Sequence, residues 1–166
     1  MSKEFSDNGW IASTDKKVVK VKSFTVPGTK RKMALNADCA PILLAFCAEF
    51  HEKVERIDDG QLDDWGYAYR AIRGKTTGLS NHSSGTAVDL NSPRHPLGKA
   101  NTFTDAQEVI IRKLTKKYGI RWGGDYKSRK DEMHFEITET PDEVKSRIQK
   151  MGLNPNGTYK NASLWV

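Results

Sequence analysis

Two stretches of this chain mark both of their own ends. In the first, Thr104 and Gln107 have capping-box spacing ahead of Val109, Ile110 and Leu114, and Gly119 stands where a glycine stops a helix. In the second, Thr140, Pro141 and Glu143 repeat the device ahead of Val144, Ile148 and Met151, with Gly152 after them. With these helix limits fixed, the β-like runs left elsewhere are short: Trp65 to Ile72, Gly85 to Leu90, Ile120 to Gly123 and Met133 to Ile137. Helices separated from clustered short strands predict an α+β fold, a small, mainly antiparallel sheet with flanking helices.

Upstream, segment 16–35 alternates around Pro27-Gly28, with Val19, Val21, Phe24 and Val26 before the turn and Met33 and Leu35 beyond it. That is a hairpin pattern. Asp38 can then cap a helix from about Cys39 to Val54 whose apolar stripe holds Ile42, Leu43, Phe46 and Phe50, leaving its polar face to solvent. Cys39 and Cys47 fall on that helix, about 12 Å apart at a rise of 1.5 Å per residue, too far for a disulfide. They read as small buried apolar residues. No repeat, low-complexity tract or Pro/Ser-rich linker divides the chain, so residues 1–166 are expected as a single domain with its motif-bearing core at about 40–152.

Lys and Arg number 27 against 21 Asp and Glu, a net charge of +6 that suits a polyanionic partner. The cations are scattered lysines rather than an arginine–aromatic stripe, so nucleic acid, anionic cell-wall polymer and a solvated surface with no dedicated partner all stay open at this point. MSKEFSDNGW has no apolar run behind its first charge, and no later run is long enough to cross a bilayer. Neither a signal peptide nor membrane insertion is expected.

Histidine is scarce, four in the chain, and two stand in distinctive surroundings. Ser80-Asn81-His82-Ser83-Ser84-Gly85-Thr86-Ala87-Val88-Asp89 places a histidine on a polar loop and a carboxylate in the strand that follows. Gly85, Ala87 and Asp89 share one face of that strand, so the carboxylate's face carries the smallest side chains and leaves room beside it. In Asp131-Glu132-Met133-His134-Phe135-Glu136-Ile137, His134 and Glu136 project together, away from the apolar Met133, Phe135 and Ile137. Two imidazoles and one carboxylate form a usual three-ligand set for catalytic zinc, with a fourth position open to water. A zinc site activates that water near neutral pH, and Asp131, three residues before His134, could take its proton from the turn ahead of the strand. Glu132 has the opposite parity and is the weaker choice. A lone loop histidine is ordinarily just solvated, a strand aspartate can be a hydrogen-bonded core carboxylate, and no helical His-Glu-x-x-His is present. Spacing alone leaves the metal site open.

The pattern Ser-x-His-x-x-Gly-x-Ala-x-Asp at 80–89, with Asp-x-x-His at 131–134, resembles the M15 metallopeptidase family. That family includes D-alanyl-D-alanine carboxypeptidases and phage L-alanyl-D-glutamate endopeptidases. The resemblance implies a D-Ala-D-Ala peptidase/Hedgehog-like fold with its zinc site on the sheet. It implies one Zn2+ per chain held by His82, Asp89 and His134, with Asp131 as general base. Tyr69-Arg70 looks like the family's Tyr-Arg, which makes Arg70 the cation that steadies the substrate carbonyl. Arg73 is close by. Trp122-Gly123-Gly124 resembles a segment of the phage branch that shapes the cleft, so Trp122 joins Ser80 and Arg70 as candidate substrate-binding residues. Asp131 in place of Glu also resembles that branch. The implied protein is a monomeric endolysin catalytic domain that is made in the host cytoplasm and attacks peptidoglycan after release. The rivals are a D-alanyl-D-alanine carboxypeptidase, a non-catalytic zinc-containing wall-binding module and a basic nucleic-acid-binding domain. His51 and His95 fall outside the motifs and are expected to be structural or exposed.

Overall fold

A computed structural model describes residues 2–161 and 163. In chain order the elements are β1 (Glu4–Phe5), β2 (Ile11–Ala12), β3 (Val21–Thr25), β4 (Lys32–Asn36), α1 (Ala40–Lys53), β5 (Ala87–Asp89), α2 (Asp105–Tyr118), β6 (Ile120–Trp122), β7 (His134–Ile137) and α3 (Pro141–Met151). Two short 3-10 turns, Asn81–Ser84 and Gly123–Asp125, lie before β5 and after β6. The sheets are the antiparallel pairs β1-β2 and β3-β4 and an antiparallel three-stranded sheet in the order β5-β7-β6. The architecture is α+β, as the sequence predicts.

Both capping boxes form, and Gly119 and Gly152 end their helices at φ 66° and 65°. The first helix departs from expectation at both its start and its surroundings. Cys39, not Asp38, occupies the N-cap without a side-chain bond, and the Asp38 carboxylate instead meets Lys20 Nζ at 2.9 Å. Residues Ala40 through Phe50 are all buried, so no polar face is left to solvent along that length. A helix apolar around most of its circumference belongs in the middle of a domain, and α1 sits between α2 on one side and β7 on the other. Even Glu49 is buried there, held by Lys53, Lys117 and the Tyr118 hydroxyl. Both cysteines are buried and free.

Segment 65–72 is not a strand. Its backbone bonds go to several partners in turn: Trp65 exchanges bonds with Asp89, Tyr67 donates to Ala34, Ala68 donates to His82, and Arg70 accepts from Ser80. It crosses from sheet to hairpin to loop, leaving only isolated bridges at Trp65 and Ala71. Gly85 also lies outside its strand, at φ 69°, and a Cβ there would meet the Asn36 nitrogen at 2.6 Å. Its missing side chain lets β4 approach; it does not make room beside Asp89.

The strand β7 divides the core from the site. Phe135 packs against Phe46 and Phe50 with ring centroids 4.7 and 5.6 Å away. Full burial of one such ring stabilises a fold by roughly 1.5–3 kcal/mol. With Phe135 fixed inward, strand alternation turns His134 and Glu136 to the opposite face. The register then sets Asp89 opposite His134 and Ala87 opposite Glu136.

Candidate metal centre

The turn Asn81–Ser84 aims His82. Ser80 Oγ accepts the His82 backbone N–H at 3.3 Å, and left-handed Gly85 closes the turn. The His82 ring is 1 % exposed, with Nδ1 2.6 Å from the Gly66 carbonyl. A carbonyl only accepts, so Nδ1 carries a hydrogen, and Nε2 is the ring nitrogen turned inward. His134 is arranged in the mirrored way. Its Nε2 lies 2.9 Å from Glu136 Oε2, which leaves Nδ1 facing inward. His82 Nε2 and His134 Nδ1 approach to 3.2 Å, and the Asp89 oxygens lie 3.2 Å from the first and 3.0 Å from the second. One ligand atom from each of the three residues falls within 4.8 Å of the others.

Three inward acceptors this close repel one another unless a cation lies among them. Without a metal, the cation can only be a proton, and the ionisation of the group reflects this. Burial opposes charge on His134, but hydrogen bonds to Asp89 and Glu136 outweigh it and push the imidazole up to about 10. Burial likewise opposes charge on Asp89, yet the His82 charge and hydrogen bonds from His134 and His82 hold its carboxyl far below the usual range. Two nitrogens and one carboxylate with both outer nitrogens already committed fit zinc with an open fourth position.

A cleft of about 490 Å³ opens beside this cluster, lined among others by Arg70, Arg73, Ser80, Tyr126, Asp131 and His134. Asp131 is tethered through its backbone. Its N–H donates to Gly123 at 3.0 Å and its carbonyl accepts from the His134 N–H at 3.1 Å. A Cβ on Gly123 would lie 2.2 Å from the Asp131 carbonyl oxygen, so only glycine permits this approach. Asp131 Oδ1 is buried with no hydrogen-bond partner. Burial holds the carboxyl above its ordinary range, against the pull of His134.

Arg70 is half-buried, and its Nη1 donates to the Ala71 carbonyl at 3.4 Å. Burial, then the like charge of Arg73, lowers its pKa, while Asp89 and Asp131 act in the opposite direction. Ser80 is buried, and its hydroxyl serves the His82 turn. Trp122 lies behind the cleft. Its ring is buried near Phe103 and Phe135, and Nε1 donates to the Glu132 carbonyl at 2.8 Å. The Glu132 carboxylate faces away and accepts from the backbone and hydroxyl of Thr102. His95 is buried against Phe103 and bonded to Glu55 and Thr102, and His51 Nδ1 accepts the Ile57 N–H. Sequence reasoning did not find Gly66, for which no local signal exists. It placed Glu136 on the face of His134 without seeing that they bond.

The elements and the cluster define an α+β fold with a His-Asp-His cluster that could hold a metal ion on a small antiparallel sheet. Residues 73–137 match the M15 peptidase family model described as D-alanyl-D-alanine carboxypeptidase, and the match supports the M15 metallopeptidase family for this chain. It spans His82, Asp89, Asp131 and His134. No solved structure matches the chain.

Proposed function

We propose that the chain is a zinc-dependent peptidase that cuts peptidoglycan stem peptides as a phage-endolysin L-alanyl-D-glutamate endopeptidase, acting as a single monomeric domain with one zinc. The observation that carries this reading is the convergence of His82 Nε2, His134 Nδ1 and the Asp89 carboxylate, with His134 and Asp131, whose Oδ1 has no hydrogen-bond partner, lining one cleft. His82, Asp89 and His134 would hold the zinc. When bound, zinc acts as a Lewis acid and lowers the pKa of water in its open position to about 7. Asp131 Oδ1 takes the proton from the attacking water and returns it to the leaving amine. Arg70 steadies the carbonyl oxygen as it gains charge. Ser80 fixes the His82 turn, and Trp122 supports the Asp131 side of the cleft from behind.

The endopeptidase branch is favoured by Asp131 in place of Glu and by Trp122-Gly123-Gly124. The description of the matching family model favours carboxypeptidase action as the second reading. A wall-binding module without catalysis would have no use for a buried carboxylate oxygen that lacks a partner. The basic surface would serve capture of the anionic wall after release from the host cytoplasm. Among the described residues, no helix is long and apolar enough to cross a membrane.

Mass spectrometry of muropeptides from digested sacculi tests the reaction. Stem peptides released with a new N-terminal glutamate or isoglutamine are expected. Loss of terminal D-alanine alone would replace the endopeptidase with the carboxypeptidase. Intact muropeptides after treatment with zinc-loaded protein would overturn both.

A further inference from the structure

The Glu136 carboxylate is enclosed by donors. Oε2 accepts from Asn81 Nδ2 at 2.6 Å and lies 2.9 Å from His134 Nε2, and Oε1 accepts from the Tyr126 hydroxyl at 2.9 Å. It is 6 % exposed and lies two residues from His134 on the same face of β7. The Asn81 amide is itself held, because its Oδ1 accepts the Asn8 backbone N–H at 2.8 Å. Asn8 is fixed in turn by Nδ2 bonds to Thr86 Oγ1 at 2.8 Å and the Ile137 carbonyl at 2.9 Å. A continuous run of hydrogen bonds thus leads from the N-terminal segment, outside the family match, to a ring of the metal cluster.

We propose that Glu136 is a positioning residue for the metal centre, oriented by Asn81 and Tyr126 and tied through Asn81 to Asn8, which holds His134 in the Nε2–H tautomer. The proposal rests on the reading of His82, Asp89 and His134 as ligands. A neutral imidazole has one hydrogen, and a metal needs the bare nitrogen. Glu136 can only accept, so it fixes the hydrogen on Nε2 and leaves Nδ1 to the cluster. This geometry also separates Glu136 from the role of general base. Its oxygens already face three donors, whereas Asp131 Oδ1 has none. Outer partners of this kind typically contribute 10- to 100-fold to metal affinity.

The experiment compares zinc affinity, by chelator competition, in the full chain and in Glu136→Gln and Glu136→Ala, together with the His134 tautomer read from 15N–1H couplings. Glu136→Gln keeps an acceptor for Nε2–H and is expected within a few fold of the parent, with the Nε2–H tautomer preserved. Glu136→Ala is expected to lose roughly 10- to 100-fold in affinity and, with zinc bound and the imidazole neutral, to show mixed His134 tautomers. Parent-like affinity and a single tautomer in Glu136→Ala would overturn the proposal. Should that variant not fold, an Nδ1–H tautomer in the parent or in Glu136→Gln would overturn it as well. A parent chain that binds no zinc would defeat the ligand reading instead, a result distinct from an unaffected Glu136→Ala.

Discussion

Replacing Asp131 by Asn separates what this residue does for the reaction from what it does for the fold. Its backbone tethers to Gly123 and His134 do not involve the side chain, so the amide occupies the carboxylate's place with the chain path unchanged. Oδ1 is buried without a partner, and such a group costs a fold about 1–3 kcal/mol, more when charged. The neutral amide lowers that penalty, so the zinc-free variant is expected to be at least as stable as the parent toward urea. Turnover should move the other way. Loss of a positioned base removes a factor of roughly 10² to 10⁴ from kcat, which is about 2.7 to 5.4 kcal/mol at 1.36 kcal/mol per tenfold. The assay is a set of three measurements on one preparation: zinc content, urea midpoint and release of muropeptides. Full zinc, equal or higher stability and a lost reaction are the expected combination. Turnover within a few fold of the parent refutes Asp131 as base, and loss of zinc makes it a ligand or a support for one.

Gly123→Ala places a methyl group 2.2 Å from the Asp131 carbonyl oxygen and must displace that segment. Its rate should fall by at least tenfold with zinc retained, and unchanged kinetics would show that Asp131 tolerates the shift. For Glu49, burial raises the carboxyl pKa, but hydrogen bonds from Lys117, Lys53 and Tyr118 outweigh it and hold the group below its ordinary 4.5. A depressed folded-state pKa contributes stability above the unfolded value that is lost as pH falls through the folded one. Glu49→Gln should therefore be less stable than the parent at pH 7, with the gap narrowing in urea titrations as pH falls below that ordinary value of 4.5; a gap that widens there refutes the network. Raised salt should weaken binding to sacculi and leave turnover of a small neutral peptide nearly unchanged, because exposed charges are screened over about 8–10 Å. Equal sensitivity of both would remove the wall-capture role.

What the sequence reveals here depends on the range of the forces involved. Thr104, Thr140, Gly119 and Gly152 act on backbone groups within one turn of themselves, so the limits of α2 and α3 can be read from neighbours alone. Alternation along β7 likewise puts His134 opposite Phe135 without knowledge of the fold. The burial of α1 could not be read this way. Its stripe predicts one packed face, but the second face is covered by elements distant in the chain. Segment 65–72 has strand composition but spreads its hydrogen bonds over several partners, which composition does not encode. Gly85 reads in the sequence as room beside the carboxylate, and the reason for it lies across the molecule at Asn36. The partners of His82 and His134 differ for the same reason. Glu136 is two residues away and was visible as a neighbour, whereas the Gly66 carbonyl arrives through tertiary structure.

The central claim is that His82, Asp89 and His134 form one metal site, and elemental analysis of the purified chain beside the three alanine variants tests it most directly. One zinc per parent chain is expected, removed by a chelator together with activity and restored by added zinc, with metal and activity both lost in each variant. A parent without stoichiometric metal, or a variant that keeps both zinc and full turnover, would contradict it.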